Sequence, residues 1–200
     1  MRIIAAAALL VAVAQAVTPQ PCSQFSPNPV PISQLPSYFP HRKGTNVAAL
    51  LDIEDIRETI SLYAYIIDGR TYDSLSEIFT PDVVANYSAP LGVLNGVEAI
   101  KTTLSAALAQ FAGTQHLLGS QNIRLCDKNR AVSATYFKAA HYMQQNATVG
   151  ATGVTDDSAM LYVHAQYQDS WVKRNGWWKI AYRNVVYMVS WRDTELQIFH

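Results

Sequence analysis

The 200-residue sequence predicts an α+β fold in which three N-terminal helices and a cone-shaped, curved, mixed or antiparallel sheet enclose a pocket. Up to about residue 111, apolar residues recur at three- and four-residue steps, the spacing of a buried helical face. From Thr114 onward, four runs rich in β-branched and aromatic residues show the pattern of strands. This separation of helical and strand patterns along the chain favours α+β over alternating α/β architecture.

The first 50 residues carry two segments that precede the predicted domain. Residues 1–16 combine Arg2, an apolar run and the Ala14-Gln15-Ala16 triplet, a pattern typical of a cleavable secretory signal peptide. Residues 17–50 are rich in proline and lack periodicity, which predicts an extended arm outside the core. We therefore expect a secreted protein, or one that enters the secretory pathway, with its domain at residues 51–200.

The first predicted helix, residues 51–68, ends with an acid on its own apolar face. Asp52 is placed to cap its N-terminus. Asp68 follows four residues after Ala64, so its carboxylate continues the apolar stripe just before Gly69. A carboxylate there is costly to bury unless it is paired, so we expect the rest of the fold to supply a partner. The stripe consists of Ile53, Ile56, Ile60, Ala64 and Ile67.

The remaining elements follow from apolar spacing and from turn residues. The patterns predict helices at 72–79 and 97–111, a short strand at 83–87, a turn at 92–96, long strands at 114–125, 131–144, 159–173 and 177–191, hairpin turns at 127–130 and 173–176, and a polar loop at 145–157.

Strand alternation predicts which side chains face the pocket. Phe137 and His141 share one face of their strand, Ala165 and Tyr167 share the apolar face of the next, and His116 can point the same way. His164 falls on the opposite face. The predicted inner polar set comprises Asp68, Tyr87, His116, His141 and Tyr167.

An acid and two histidines in an apolar cavity suit proton-transfer chemistry. A neutral imidazole can take a proton from a carbon next to a carbonyl, and a carboxylate can fix its tautomer. A tyrosine hydroxyl such as that of Tyr87 can donate to the developing enolate oxygen. The alternative is that these groups are ordinary core polar residues satisfied by hydrogen bonds.

Composition bears on the partners. Lys+Arg and Asp+Glu both number 15, so the sequence lacks the basic character of nucleic-acid binding and of attachment to an anionic membrane. After the signal peptide, no segment approaches the roughly 20 apolar residues of a membrane span. We expect a small-molecule substrate as partner. Tyr136, Tyr162 and Trp177, predicted on the outer face of the sheet, would also suit a homodimer or homotrimer.

Two kinds of residue fit the secretory route. Cys22 and Cys126 are candidates for a disulfide, with two free buried thiols as the alternative. If paired, they could hold the arm as a lid over the pocket. Asn86 and Asn146 begin N-glycosylation sequons.

The layout, together with the run from Tyr63 through Asp68 to the TPDVV, NGVEAI, TQH and NGWWKI segments, resembles the SnoaL-like group of the nuclear transport factor 2-like superfamily. Within that group, the pattern is similar to scytalone dehydratase and its fungal relatives and to bacterial bile-acid dehydratases. The resemblance covers residues 51–191.

The resemblance implies catalytic roles for Asp68, His116, His141 and Tyr87. The serine and asparagine of the dehydratase correspond to Ala165 and Tyr167, a departure on the substrate-facing wall. Tyr63 and Arg183 match a tyrosine and an arginine of the bile-acid enzymes, with a stacked core aromatic and an external ion-pair arginine as alternatives. The predicted substrate-binding residues are Tyr63, Phe137, Ala165, Tyr167 and Arg183.

The resemblance further implies a secreted, cofactor-free lyase or isomerase acting on a small cyclic hydroxy-ketone or polyketide-like substrate. One alternative is a non-catalytic module that binds an apolar ligand or self-associates. Another is a metal enzyme using Asp68, His116 and His141, because two histidines and a carboxylate match non-haem iron sites. The sequence lacks a tight H-x-D spacing, so no metal is expected.

Overall fold

The computed structural model describes residues 22–25, 28–41, 44, 46–143 and 160–188. The signal peptide, the 145–157 loop and Asn146, all predicted from the sequence, lie outside these residues. The helices are α1 (Leu35–Tyr38), α2 (Val47–Asp68), α3 (Leu75–Ile78) and α4 (Val97–Leu108), with 3-10 turns at Ile32–Gln34 and Tyr72–Ser74; the strands are β1 (Phe79–Asn86), β2 (Val93–Asn95), β3 (Gly113–Leu125), β4 (Arg130–Tyr142), β5 (Met160–Arg174) and β6 (Trp177–Tyr187).

The six strands form one mixed sheet in the order β2-β1-β6-β5-β4-β3. Only the β1–β6 pairing is parallel among the described strands. The predicted α+β class and mixed sheet are confirmed, and the four long strands match the predicted runs closely. Asn175 and Gly176, with φ of 53° and 86°, form the β5–β6 turn, as the Asn-Gly pair predicts.

The start of the sheet differs from the prediction in two places. β1 begins at Phe79, although its strand was predicted from residue 83, because a register shift between Phe79 and Val84 accommodates Pro81. The 92–96 segment, predicted as a turn, contains β2, which pairs with the end of β1. The turn residues therefore flank a three-residue strand, and three residues are too few to show the alternation of a strand in the sequence.

Helix α2 also begins earlier than predicted. Asn46 is its N-cap, and its side-chain oxygen accepts a hydrogen bond from the Ala49 backbone N–H at 2.8 Å. The prediction that Asp52 caps the helix is wrong. Its carboxylate lies six residues further along and pairs with Lys173 of β5 at 2.5 Å, while also accepting a bond from the Trp178 indole. Asp52 thus joins the helix to the sheet.

The main core lies between the helices and the inner face of the sheet. Every member of the predicted α2 stripe is buried, from Ile53 to Ile67. On β4, Ala131, Phe137 and Ala139 face this core, as strand alternation predicts. The inner face is therefore the side on which the site must form.

The N-terminal arm packs on the outer face of the sheet and forms a second core. The side chains of Gln168 and Ser170, which alternate with inward-facing residues of β5, bond the backbone of Val30 and Phe25. The expectation that the arm lies outside any core is wrong, because its scattered apolar residues pack against the sheet without needing a regular period. The lid expectation is wrong too, since the arm covers the face opposite Asp68. The buried members are Cys22, Phe25, Val30, Leu35, Cys126, Val132 and Ala134.

The aromatics predicted on the outer face divide into two groups. Tyr136 is on that face, as is Tyr162, whose ring lies 4.3 Å from the ammonium of Lys138. Trp177, by contrast, is at the β5–β6 hairpin tip and lines a groove with Leu62 of α2. Across the described ranges, the structure contains no helix long and apolar enough to cross a membrane.

Candidate functional site

Asp68 is the last residue of α2, and the way the helix ends directs it towards β3. Gly69 follows as the C-cap, and Arg70 adopts a left-handed conformation with φ of 58°. The Thr71 N–H bonds the Ile66 carbonyl at 3.0 Å and the Arg70 N–H bonds the Ile67 carbonyl at 3.3 Å. This Schellman arrangement stops the helix where Asp68 meets the sheet.

The Asp68 carboxylate accepts three hydrogen bonds from β3. The His116 ring nitrogen Nδ1 lies 2.7 Å from Oδ1, and the His116 backbone N–H donates to Oδ2 at 2.8 Å. The Thr114 hydroxyl donates to Oδ1 at 2.9 Å. The partner expected for Asp68 is therefore a single segment of β3. The side chains of Asp68 and His116 are largely shielded from solvent, with 24% and 9% of their surfaces exposed.

These contacts determine the charge of Asp68 and the tautomer of His116. Burial by itself raises the pKa of the Asp68 carboxyl, but the hydrogen bonds and the charge of His116, with the Thr114 bond, together hold that pKa below its ordinary value. An ionised carboxylate only accepts, so His116 Nδ1 must carry a proton. In neutral His116, Nε2 then presents a lone pair, which is the arrangement of a general base.

His141 lies beside this pair, with its ring centroid 6.0 Å from that of His116. Its Nδ1 is 3.3 Å from the Leu161 carbonyl, which can only accept, so Nδ1 is the protonated nitrogen. Burial and the neighbouring His116 lower the pKa of His141 to about 4. His141 is therefore neutral at pH 7, and its Nε2 is an acceptor.

Tyr87 belongs to a second polar group deeper in the core. Its hydroxyl lies 3.2 Å from that of Tyr63. Arg183 places its guanidinium 4.3 Å from the Tyr63 ring and 4.1 Å from the Tyr167 ring, and bonds Asp169 through two nitrogens at 2.7 and 2.9 Å. Burial, reinforced by Tyr63, raises the pKa of Tyr87 well above its ordinary value although Arg183 opposes this shift. Tyr87 is consequently a neutral phenol that can donate a hydrogen bond.

Aromatic rings connect the two polar groups. Phe137 stacks on Tyr167 with ring centroids 4.0 Å apart, and the centroid of the His116 ring lies 6.0 Å from that of Phe137. Tyr167 in turn meets the edge of Tyr63 at 5.6 Å. The five residues predicted to bind substrate, Tyr63, Phe137, Ala165, Tyr167 and Arg183, are all buried on this inner side.

Arg183 and Tyr63 each had an alternative interpretation as a structural residue, and the structure bears on both. Arg183 is fully buried, so the external ion-pair alternative is wrong. Tyr63 is a buried core aromatic that meets Phe79 edge to face, yet its hydroxyl also lies 3.2 Å from that of Tyr87. Within the described part of the chain, no group of three His, Cys, Asp or Glu side chains is arranged to hold a metal ion.

Three site residues were missed by the sequence reasoning. Thr114 precedes His116 by two positions, so strand alternation could have placed it on the same face. Asp169 could have been found in the same way, as a charged residue two positions after Tyr167. Arg70 gave no sequence signal, because its side chain is directed inward by a left-handed backbone that arginine rarely adopts.

Cys22, Cys126 and Asn86, which the sequence associates with the secretory route, lie among the described residues. Cys22 and Cys126 are joined in a disulfide with a Cα–Cα distance of 5.1 Å, so the free-thiol alternative does not hold in this structure. The side chain of Asn86 points away from the core face that carries Tyr87, as predicted, and its oxygen accepts a bond from the Ser88 N–H. Occupancy of the Asn86 sequon stays a prediction.

Comparison with known proteins identifies the family of the chain. Residues 48–184 match the family model described as a SnoaL-like domain. An uncharacterized Mycobacterium tuberculosis protein, Rv2910c, is 28% identical over 142 residues, which cover 71% of this chain and 89% of the relative.

Solved structures show the same fold at low sequence identity. A candidate scytalone dehydratase from Novosphingobium aromaticivorans has a TM-score of 0.59 and 23% identity over 74% of this chain and 91% of its own. A type 2 hexachlorocyclohexane dehydrochlorinase, LinA, has a TM-score of 0.60 and 14% identity over 72% and 90%. A nuclear transport factor 2-like protein from Salmonella enterica has a TM-score of 0.56 and 18% identity over 71% and 94%.

Proposed function

The chain belongs to the SnoaL-like family of the nuclear transport factor 2-like superfamily, and from that premise we propose that it is a cofactor-free lyase or isomerase. Its substrate would be a small cyclic hydroxy-ketone of polyketide type. The observation that carries the proposal is the contact between Asp68 and His116, in which an ionised carboxylate holds an imidazole with Nε2 unprotonated. A general base needs such a nitrogen, because only an unprotonated nitrogen can accept a proton.

In the proposed reaction, His116 is the group that carries the proton. Its Nε2 takes a proton from the carbon next to the substrate carbonyl, and the C–H electrons form an enolate. The enolate then collapses, a carbon–carbon double bond forms, and the bond to the β-hydroxyl breaks with its electron pair. The leaving hydroxide takes the proton from His116 and departs as water, so the imidazole returns to its starting state. Asp68 balances the imidazolium charge between these steps.

The other two polar side chains would bind the two ends of the substrate. Tyr87 would donate its hydroxyl hydrogen to the carbonyl oxygen as negative charge develops there. Its contact with Tyr63 and the nearby charge of Arg183 support this role, since both orient the phenol in a site shielded from water. His141 stays neutral, so its Nε2 would accept the β-hydroxyl hydrogen and align the leaving group.

The lining of the site supports an apolar, ring-shaped substrate. Phe137 and Tyr167 stack on each other between the Asp68–His116 pair and the Tyr63–Tyr87 pair, which makes this wall aromatic. The dehydratase-type serine and asparagine are replaced by Ala165 and Tyr167, which removes polar contacts and adds bulk. A substrate less polar than scytalone therefore fits this wall better.

Isotope exchange tests the proposal directly. Cyclic β-hydroxy ketones would be incubated with the protein in D₂O, and exchange at the carbon next to the carbonyl would be followed by NMR, with enone absorbance reporting elimination. Asp68→Asn should lower turnover about 10²- to 10⁴-fold while the fold is retained. Asp52→Asn, which removes another paired carboxylate from the same helix, is the matched control and should stay active. Equal turnover of Asp68→Asn and the native protein would rule out the mechanism.

A second candidate function is favoured by the stacked aromatic rings alone: the site could hold an apolar ligand without transforming it. The two functions differ in their dependence on the histidines. Ligand affinity should survive replacement of both His116 and His141 by Gln if the protein is a binder, whereas isotope exchange should disappear if it is an enzyme.

We also propose that the protein is secreted and that copies associate through the part of the outer sheet face that the described residues of the arm do not cover. Residues 1–16 support entry into the secretory pathway, and the Cys22–Cys126 disulfide fits an oxidising compartment.

Exposed Tyr136, together with Tyr162, supplies the aromatic surface for a homodimer or homotrimer. Light scattering of the purified protein measures its mass in solution, and a monomer at all concentrations would refute the association.

A further inference from the structure

We propose that Arg70 is a positioning residue that fixes Thr114 against Asp68 and places a permanent positive charge next to His141. No part of the family resemblance assigns a role to this arginine. Its effect on turnover rests on the proposed function, whereas its effect on the two histidines does not.

The first support for this role is the direction of the hydrogen bonds. Arg70 Nη1 lies 3.2 Å from the Thr114 hydroxyl oxygen, and a guanidinium can only donate. Thr114 must therefore accept from Arg70, which leaves its own hydrogen for Asp68 at 2.9 Å. The chain of bonds runs from Arg70 through Thr114 to Asp68, while His116 donates from the other side. Arg70 Nη1 also lies 3.3 Å from the Ile67 carbonyl and 3.4 Å from the Tyr72 hydroxyl, so the guanidinium is held at the end of α2 and Thr114 is the acceptor that connects it to β3.

The second support is the conformational cost of placing an arginine here. Position 70 follows the helix C-cap in the left-handed region, where glycine is the usual residue and any other residue costs about 1 kcal/mol. In addition, Nη2 of Arg70 is enclosed without a hydrogen-bond partner among the described residues. Strained backbone and an unpaired buried donor tend to persist at functional sites, and glycine at position 70 would remove both.

The third support is the electrostatic environment of His141. The groups facing its ring are His116 from β3, Arg70 and Asp68 from the end of α2, the Leu161 carbonyl from β5, and the uncharged Phe111 after α4. The charges of His116 and Arg70 both lower the pKa of His141, while Asp68 raises it. Arg70 is brought near His141 by Thr114, which pairs with His141 between β3 and β4 and accepts a hydrogen bond from Arg70. Arg70 therefore helps to keep His141 an acceptor.

The test uses three variants of the full chain and NMR of labelled histidine rings. Arg70→Gly removes the guanidinium and suits the left-handed backbone, so the protein should fold. Arg70→Lys keeps the charge, and Thr114→Val removes only the intermediate hydroxyl. Asn175→Gly is the matched control, because Asn175 has the same left-handed conformation, with φ of 53°, at a hairpin tip far along the chain.

In Arg70→Gly, the titration midpoint of His141 should rise by about half a pH unit, and the signal of the His116 Nδ1 proton should shift or broaden. Arg70→Lys should restore most of the His141 midpoint, and Thr114→Val should alter His116 while leaving His141 unchanged. Asn175→Gly should move neither histidine. An Arg70→Gly protein that is folded and has native titration curves for both rings would overturn the proposal, because a residue that merely ends a helix would give that result.

Turnover is measured in a separate experiment. If the proposed function holds, Arg70→Gly should reduce kcat about 10- to 100-fold with little change in KM, and Arg70→Lys should recover part of it. A failure of Asp68→Asn to affect turnover would reject the proposed function and leave the histidine titrations as the test of Arg70. Native kcat in Arg70→Gly, with Asp68→Asn inactive, would reject the catalytic part of the Arg70 proposal.

Discussion

The ion pair between Arg183 and Asp169 gives the strongest stability prediction. Both side chains are fully buried, and two nitrogens of Arg183 bond the two carboxylate oxygens. In Asp169→Asn, the shape of the side chain is kept but its charge is lost, so a guanidinium remains in the core without a counter-charge. Breaking a buried pair in this way costs about 3–5 kcal/mol. The Tyr63 and Tyr167 rings next to Arg183 offset about 1–2 kcal/mol of that cost.

The expected loss in the free energy of unfolding is therefore about 1–4 kcal/mol, which corresponds to a fall in Tm of about 2–16 °C for a domain of this size. Urea and thermal unfolding followed by circular dichroism measure both quantities. Asp127→Asn is the matched control: Asp127 is also 2.7 Å from an arginine, Arg130, but both side chains are exposed. Its loss should be below about 1 kcal/mol.

The stability lost in Asp169→Asn should be recoverable by a second substitution. Replacing both partners with apolar residues, as in Asp169→Leu with Arg183→Met, removes the uncompensated charge and should recover much of the stability. If Asp169→Asn costs no more than Asp127→Asn, groups other than Asp169 compensate the buried guanidinium, and the conclusion that this ion pair is a main contributor to stability fails.

Two further predictions concern acid sensitivity and the arm. Because the pKa of His141 is about 4 in the folded protein and about 6.5 in the unfolded chain, the unfolded state binds more protons between these values, and stability should fall as pH drops through that window. Between pH 7 and pH 5, native protein should lose about 2 kcal/mol more than His141→Gln in urea unfolding; equal losses would contradict the buried neutral imidazole. Replacing Cys22 with Ser should lower the free energy of unfolding by about 2–5 kcal/mol and expose the arm to limited proteolysis. Unchanged resistance to protease would mean that the Gln168 and Ser170 contacts hold the arm without the disulfide.

Much of the candidate site could be predicted because it depends on local periods. The three- and four-residue spacing of α2 places Asp68 on the buried stripe, and strand alternation places His141 beside Phe137 on the inner face of β4. Both periods are properties of a single element and hold whatever packs against it. Similar reasoning would have found Thr114 and Asp169 had alternation been followed to the strand ends.

Other features were beyond local reasoning because they depend on contacts between distant elements. The sequence alone could not say which histidine binds Asp68; the pairing of α2 with β3 selects His116, 48 residues away. Nor could it place the arm, whose side chains lack a period and whose position is set by Gln168, Ser170 and the disulfide on the outer face.

By itself, the sequence determined the α+β class, the strand faces and the residues available for acid–base chemistry, since hydrophobic periodicity and turn residues act over a few positions. Only the tertiary structure decided that Asp68 pairs with His116, that Arg183 is buried against Asp169, and that Arg70 turns inward. The physical reason is that burial of a charge depends on its partner across the core, and the partner is chosen by sheet register and helix packing.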